Sequence, residues 1–580
     1  MKHNWIKITE IILILSWLIT LKESDSFYIP YLITGIVAIV ACTKRNKIGP
    51  QKNWTLSIIF SSIFTFFICA ANHSLFSIDF SATQIVPSLI SITSLVLGTF
   101  ITFYNILVCA SNLKSINYLK ITKDKFYKLK PSTIFFISFA IISLAYILVL
   151  LCKYPGNLSV DSIRQITQNI TGEYSNHHPF IHTIIIGLFI NIGQNVLNNI
   201  NIGVGLYSVF QILFMSSIFA YSLMTLYQKK VPKIIIITIL LFFALCPYHI
   251  MYSITMWKDI PFGGFALLFV TSQYRIFYRI GRSWINYFFV GLSSCGLCLF
   301  RNNGFYAVAA LLILFIIMFR REIFQTKKLL LNFSLVTLAI LFTFIYNSFI
   351  LRALNVTPSE PTESLSVPAQ QVARTIRDHN LTSEQLDLLN NILDTEHIAD
   401  IYTPGVSDPI KKQIFELSDQ GTFLKTHKSE LIKLYIELGI SHPKTYFLAW
   451  ADLTRGYYNS GYDHWVLTYD IQPNELGIER TKQQSVPNKL FDSYLLLFEN
   501  NPVLRIIYCI GFAVWSTIIL LYIAITKKDK PNILLIALPL LIIATLLIAT
   551  PVYSEFRYAY SLFCCLPFLS VATLFPKKDK

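Results

Sequence analysis

Apolar residues fall in long runs separated by short polar breaks, matching neither the alternation of a half-buried strand nor the single stripe of a surface helix. Runs long enough to cross a bilayer as a helix lie near 6 to 22, 27 to 42, 54 to 72, 86 to 110 and 132 to 152. Six more lie near 204 to 227, 234 to 249, 260 to 278, 284 to 300, 304 to 319 and 329 to 350, and three near 503 to 525, 532 to 550 and 559 to 575. The first run has no small-residue cleavage site and is followed at once by another, so it reads as a retained helix and not a signal peptide. The pattern predicts an α-helical polytopic integral membrane protein with about 14 transmembrane helices.

The breaks orient these spans. Loop 43 to 53 carries Lys44, Arg45, Lys47 and Lys52, and loop 111 to 131 carries six lysines, whereas 73 to 85 has no lysine or arginine. Basic loops stay in the cytoplasm, so the chain leaves the fifth span at Lys153 on the outer side. The run 180 to 199 raises a question of parity. If it crossed, Lys229, Lys230 and Lys233 would lie outside, against the charge rule. Its polar interruptions His182, Asn191 and Gln194 suit a helix lying on the outer surface, with a full crossing as the alternative. With an interfacial helix, Arg275, Arg279, Arg282, Arg320, Arg321, Lys527 and Lys528 are all cytoplasmic, as are both termini. The expected location is the plasma membrane.

Between Leu351 and Asn501 the character changes. This stretch holds 20 of the chain's 32 acidic residues and only 13 of its 48 basic ones, which predicts a water-soluble extracytoplasmic domain, mostly helical. Helical periodicity covers 364 to 379, 382 to 394 and 426 to 439. The expected organisation is therefore N-terminal spans over 1 to 131, a membrane core over 132 to 350 with an external loop at 153 to 203, the soluble domain over 351 to 501, and C-terminal spans over 502 to 580.

Composition agrees. With 54% hydrophobic and 14% charged residues, the chain has more apolar surface than a soluble core of 580 residues can use. The net charge of +16 would point to nucleic acid in a soluble protein, but here it sits in loops between spans, so the expected partners are membrane lipids and no nucleic acid. All ten cysteines lie in or beside apolar runs and none in the soluble domain, which excludes a disulfide framework there. Cys295 and Cys298 have metal-like spacing but lack a second pair, and read as small core residues.

Four polar clusters fall at outer helix ends. They are Asp161 with His177 and His178 after the Tyr154–Pro155 entry; Lys258 and Asp259 in TMWKDIPF; Arg301, Asn302 and Asn303 in LFRNNGF; and Glu555 with Arg557 in VYSEFRY. Each alone has a bland reading as loop charge, or for Asp161 as the cap of a helix beginning at Ser162. Four on one side of a membrane point to a site. The aromatic group Tyr446, Trp450, Tyr457, Tyr458, Tyr462, Trp465 and Tyr469 suits either a sugar-stacking groove or the core of a disulfide-free domain.

The ordered set YPGNLSVDSIRQ, HHPFIHT, WKDIPF, FRNNG and SEFRY, with a large insert before the last spans, resembles the GT-C superfamily of polytopic glycosyltransferases, and most closely a largely uncharacterised bacterial branch. ESLSVPAQQVAR and YTPGVSDPIK in the insert extend the resemblance. It implies transfer of a sugar, with inversion, from a polyprenyl-phosphate carrier to a cell-envelope acceptor such as a glycan, teichoic acid, lipid or protein. It also implies a catalytic acid in the first large external loop, a position that Asp161 matches. Many relatives follow that acid with a second one. Here Ser162 stands instead, so a divalent metal lacks support and no cofactor is expected.

Chemistry asks for the same residue types. Displacing a phosphate from an anomeric carbon needs a base for the acceptor's proton and cations for the leaving charge. Asp161 fits the base and Lys258, Arg301 and Arg557 the cations, with Tyr154, His177, His178, Asp259, Asn302, Asn303 and Glu555 in support. A transporter of lipid-linked sugars is the main competitor, and would need mid-membrane charges and repeated halves, which the sequence lacks. An envelope polysaccharide polymerase or ligase would share the outer site. A non-catalytic assembly scaffold would explain the soluble domain but not the cationic helix ends.

Overall fold

The computed structural model describes residues 2–22, 28–45, 53–76, 85–112, 125–480 and 486–575. Among them every regular element is a helix, with four isolated bridges and no strand. Nine helices are long and apolar enough to cross a membrane, and this is a helical membrane protein: Trp54–Ala71, Ile85–Ser111, Pro131–Cys152, Ile200–Gln228, Ser283–Phe300, Asn302–Phe319, Lys327–Ala353, Lys530–Ile548 and Phe556–Leu574.

The other five expected spans form helices that miss this standard for identifiable reasons. Lys2–Lys22 carries charges along its length. Ile29–Lys44 and Ile510–Thr526 are short. Asp259–Phe277 opens on an acid and keeps Gln273 and Arg275 near its end, all buried against neighbours. The expected span 234 to 249 breaks at Pro247, where Lys233–Leu245 and Pro247–Ser253 meet at 51°. Proline removes the hydrogen bond and occupies the space that would continue the first helix. The bend brings residues 254 to 256 against the loop that follows Cys152.

The run 180 to 199 is a helix over Phe180–Val196, shorter than the nine. It does not simply lie against lipid, because His182 is buried and bonds Gln165 at 3.1 Å and Tyr207 at 2.7 Å.

The insert over 351 to 501 is not one separate unit. Its first part has its own apolar core, built by Ala373, Leu389, Leu393, Ile410, Ile414 and Leu438. Its later part joins the main core through Ala451, Tyr457, Tyr458, Val466 and Leu467. Helix Pro443–Thr454 seats Phe447 and Trp450 against Phe66 and Phe67 near the end of the Trp54–Ala71 span, with ring centroids 5.9 and 6.4 Å apart. Most of the aromatic group is thus packing: Tyr457 and Tyr458 are buried, and Trp450 donates to the Leu547 carbonyl at 2.8 Å. Trp465 alone among those seven is markedly exposed. The expected helices at 364 to 379, 382 to 394 and 426 to 439 appear as Ser366–Asp378, Ser383–Leu389 and Lys428–Ser441.

Candidate active site at the insert-side helix ends

The loop that follows Cys152 is held against two other segments by its backbone. The Asn157 amide donates to the Ile254 carbonyl at 2.8 Å, the Met256 amide to the Asn157 carbonyl at 3.1 Å, and the Gln472 amide to the Leu158 carbonyl at 3.0 Å. Arg480 clamps the same turn, donating to the Lys153 carbonyl at 2.7 Å and to Asn157 Oδ1 at 2.8 Å. Gly156 permits the close approach. Its φ is +133°, and a Cβ there would lie 2.6 Å from Ser208 Oγ and 2.7 Å from the Ile254 carbonyl.

This pairing sets the start of helix Val160–Thr171 beside residues 256 to 258. Ser159 is the N-cap and forms a reciprocal capping box with Ser162, whose hydroxyl also donates to the Met256 carbonyl at 2.7 Å. Asp161 is therefore not the cap, and no helix begins at Ser162. Its carboxylate lies in the first turn, where the helix dipole favours negative charge.

Three pairs then meet. Asp161 Oδ2 accepts from Arg557 Nη1 at 3.0 Å, and Arg557 is also paired to Glu555 through its Nε. Arg301 is paired to Asp259 and donates through Nε to Asn303 Oδ1 at 3.0 Å. Lys258 Nζ donates to His178 Nδ1 at 3.3 Å. Aromatic rings separate and orient the guanidiniums. Arg557 lies over Trp257 at 4.8 Å and Tyr558 at 5.1 Å, and the same Tyr558 ring faces Arg301 at 4.6 Å. Trp257 is fixed in turn by its indole N–H donating to Ser159 Oγ at 2.8 Å.

The cluster is electrostatically coupled. Burial would raise the Asp161 carboxyl, but Arg557 and Lys258 hold it well below the usual carboxylate range. Burial, opposed by Asp161 and reinforced by Arg301 and Arg557, brings the Lys258 ammonium down to about 8. Burial and then Lys258 push His178 far below its ordinary value, so its imidazole is neutral at pH 7. Burial lowers His177 as well, although Glu363, 4.0 Å away, pulls the other way.

Two atoms in this cluster are left over. A neutral His178 that accepts at Nδ1 carries its proton on Nε2, and that buried nitrogen has no hydrogen-bond partner among the described residues. Asp259 is 1% exposed, and its Oδ2 likewise has no partner. Buried polar atoms are normally satisfied, so a free donor and a free acceptor beside three cations mark a place for a polar ligand. Asp161 keeps 30% of its side chain exposed, which leaves it reachable.

Of the residues expected from the sequence, the structure brings together Asp161, His177, His178, Lys258, Asp259, Arg301, Asn303, Glu555 and Arg557. Two stand apart. Tyr154 turns its ring onto Gly205 of the Ile200–Gln228 helix, where a Cβ would lie 2.7 Å from it. Asn302 opens helix Asn302–Phe319 and faces outward, because successive positions at a helix start point in different directions. Of the three cations expected to hold a phosphate, Arg301 and Arg557 also carry carboxylate partners. Trp257, Tyr558 and Glu363 were not singled out from the sequence. The first two lie inside the quoted motifs WKDIPF and SEFRY, but only the fold shows the Tyr558 ring against both arginines and the Trp257 ring against Arg557.

A family profile described as a family of unknown function, DUF6020, matches residues 167–580. The chain belongs to that family. The match takes in both histidines, Lys258, Asp259, Arg301, Glu555 and Arg557 and begins just after Asp161. No curated protein and no solved structure matches the chain.

Proposed function

We propose that this protein is a membrane glycosyltransferase of the GT-C type, transferring a sugar from a polyprenyl-phosphate donor to a cell-envelope acceptor. In this reading about 14 helices cross the plasma membrane, counting those too short or too polar to qualify by length and composition alone. Both termini are cytoplasmic and the insert faces outward.

The observation that carries the reading is the meeting of Asp161, Lys258–His178 and the Asp259–Arg301 pair at one set of helix ends, with a buried donor and acceptor unmet. A sugar phosphate is a polyanion bearing hydroxyls. Lys258 and the His178 Nε2–H offer donors to phosphate oxygens, while Asp259 Oδ2 can accept from a hydroxyl. A carboxylate tied to Arg557 is a weak base. An arriving phosphate that draws the guanidinium toward itself would return Asp161 toward ordinary basicity, so donor binding would switch on proton acceptance from the acceptor hydroxyl. The sugar–phosphate bond then breaks as the acceptor oxygen bonds the anomeric carbon, and the phosphate leaves as an anion held by the cations.

The test is transfer by purified protein from a polyprenyl-phosphate sugar to an envelope extract. Transfer that depends on Asp161 supports the reading. Absence of transfer together with movement of the lipid-linked sugar across vesicles would replace it with a transporter.

A further inference from the structure

A second feature lies in the insert, outside the polar cluster. Between the Pro361–Ser364 turn and helices Ser366–Asp378, Asp408–Leu417 and Lys428–Ser441 lies an apolar cavity of about 630 Å³, within the range of small-molecule sites. Leu365, Val372, Leu393, Ile414 and Leu431 line it. Several of the residues that form the insert's own core also face this cavity, Leu389, Leu393 and Ile414 among them. A core of this kind normally closes over such a space, because each wall atom facing it forfeits its packing contacts.

The lining does not end at the cavity. Ile432 and Ile436 line it, and with Ile440 they form a row at four-residue spacing along Lys428–Ser441, exposed by 48%, 53% and 76%. The chain then folds back: Tyr446 donates to the Tyr435 carbonyl at 2.8 Å, and Phe447 meets Phe66, a half-exposed ring on a candidate membrane span. The exposed isoleucine row thus runs from the cavity to the turn before the helix whose Phe447 packs on a candidate membrane span. At its rim stand Lys425 and Lys428, both exposed and neither in an ion pair among the described residues, unlike nearby Lys412, which pairs with Glu416.

We infer that this cavity holds one hydrocarbon chain of an anionic membrane lipid, whose phosphate meets Lys425 and Lys428. The apolar walls take the chain, the isoleucine row is its path from the bilayer, and the two lysines select negative headgroups. The site also adjoins the polar cluster, because Pro361 and Ser364 line the cavity while Glu363 of the same turn lies 4.0 Å from His177 and 3.5 Å from Lys411. The inference concerns occupancy by lipid and does not rest on the transferase reading.

The experiment uses the full chain in phosphatidylcholine nanodiscs carrying a phosphatidylglycerol with a diazirine at the end of one acyl chain, with labelled peptides mapped after irradiation. Labelling within 361 to 372 and 424 to 436 is expected. It should fall about tenfold in the exposed double variant Lys425→Glu/Lys428→Glu, and when the diazirine is carried on phosphatidylcholine. Val372→Trp, which fills the cavity, should abolish it. Labelling confined to spanning helices overturns the inference, as does insert labelling indifferent to both the charge reversal and the headgroup. Cross-links from these segments to a second copy of the chain, in place of lipid, also overturn it.

Discussion

Two buried networks of arginine, carboxylate and histidine sit in this molecule, and they differ in one respect that separates structure from chemistry. In the insert, Asp452 accepts from Arg374 at 2.6 Å through one oxygen and pairs with His73 at 2.8 Å through the other. Both oxygens are used, and the network pins helices Ser366–Asp378 and Pro443–Thr454 to the turn after the Trp54–Ala71 span. At the insert-side helix ends the same residue types leave His178 Nε2 and Asp259 Oδ2 unmet and Asp161 partly exposed. A satisfied network holds elements together, whereas an incompletely satisfied one is costly unless a ligand completes it.

The largest effect that could break this comparison is at Asp161. Asp161→Asn should lower sugar transfer at least about 100-fold, the lower range for losing a positioned base, with thermal stability nearly unchanged. Because Ser159 is the cap, a silent Asp161→Asn could not be explained as one good cap replacing another, and would remove this residue from the mechanism.

Arg374→Met should do the reverse. Leaving Asp452 with His73 as its remaining partner should cost about 1–3 kcal/mol, read as a lowered unfolding midpoint, while transfer per folded molecule is retained. Equal loss of activity in both variants would erase the distinction between the two networks.

Lys258 sharpens it by pH. Its ammonium is brought down to about 8, below its ordinary 10.5, so the cation is present below pH 8 and lost as pH rises through that value. Donor binding should weaken about tenfold between pH 7 and 9, and Lys258→Met should flatten this dependence. Asp161 is held low and stays ionised across neutral and mildly acidic pH, so binding should show no matching limb near pH 5.

The smallest effect is at Ser159. Ser159→Ala removes one side of the capping box and the acceptor for Trp257, and should cost about 1 kcal/mol of stability with a modest loss of transfer.

The sequence alone determined the class of molecule and the order of its parts. Twenty-residue apolar runs must bury their backbone polarity in helices, and that constraint is local, so the helical membrane segments and the compositional shift to the acidic insert could be read directly. Polar breaks at helix ends pointed to Asp161, Lys258, Arg301 and Arg557 for the same reason, since charge is costly anywhere deeper. What a linear reading could not supply is which of these groups meet. Arg557 reaches Asp161 across 396 positions, Glu363 comes up to His177 from the insert, and the rings of Trp257 and Tyr558 are placed by packing. Tyr154 and Asn302 share motifs with the site yet turn elsewhere, because a side chain's direction depends on the φ/ψ and the neighbours of its own turn. The cavity in the insert was equally hidden: its walls come from separate helices, each of which reads as an ordinary amphipathic segment until tertiary packing leaves the space between them.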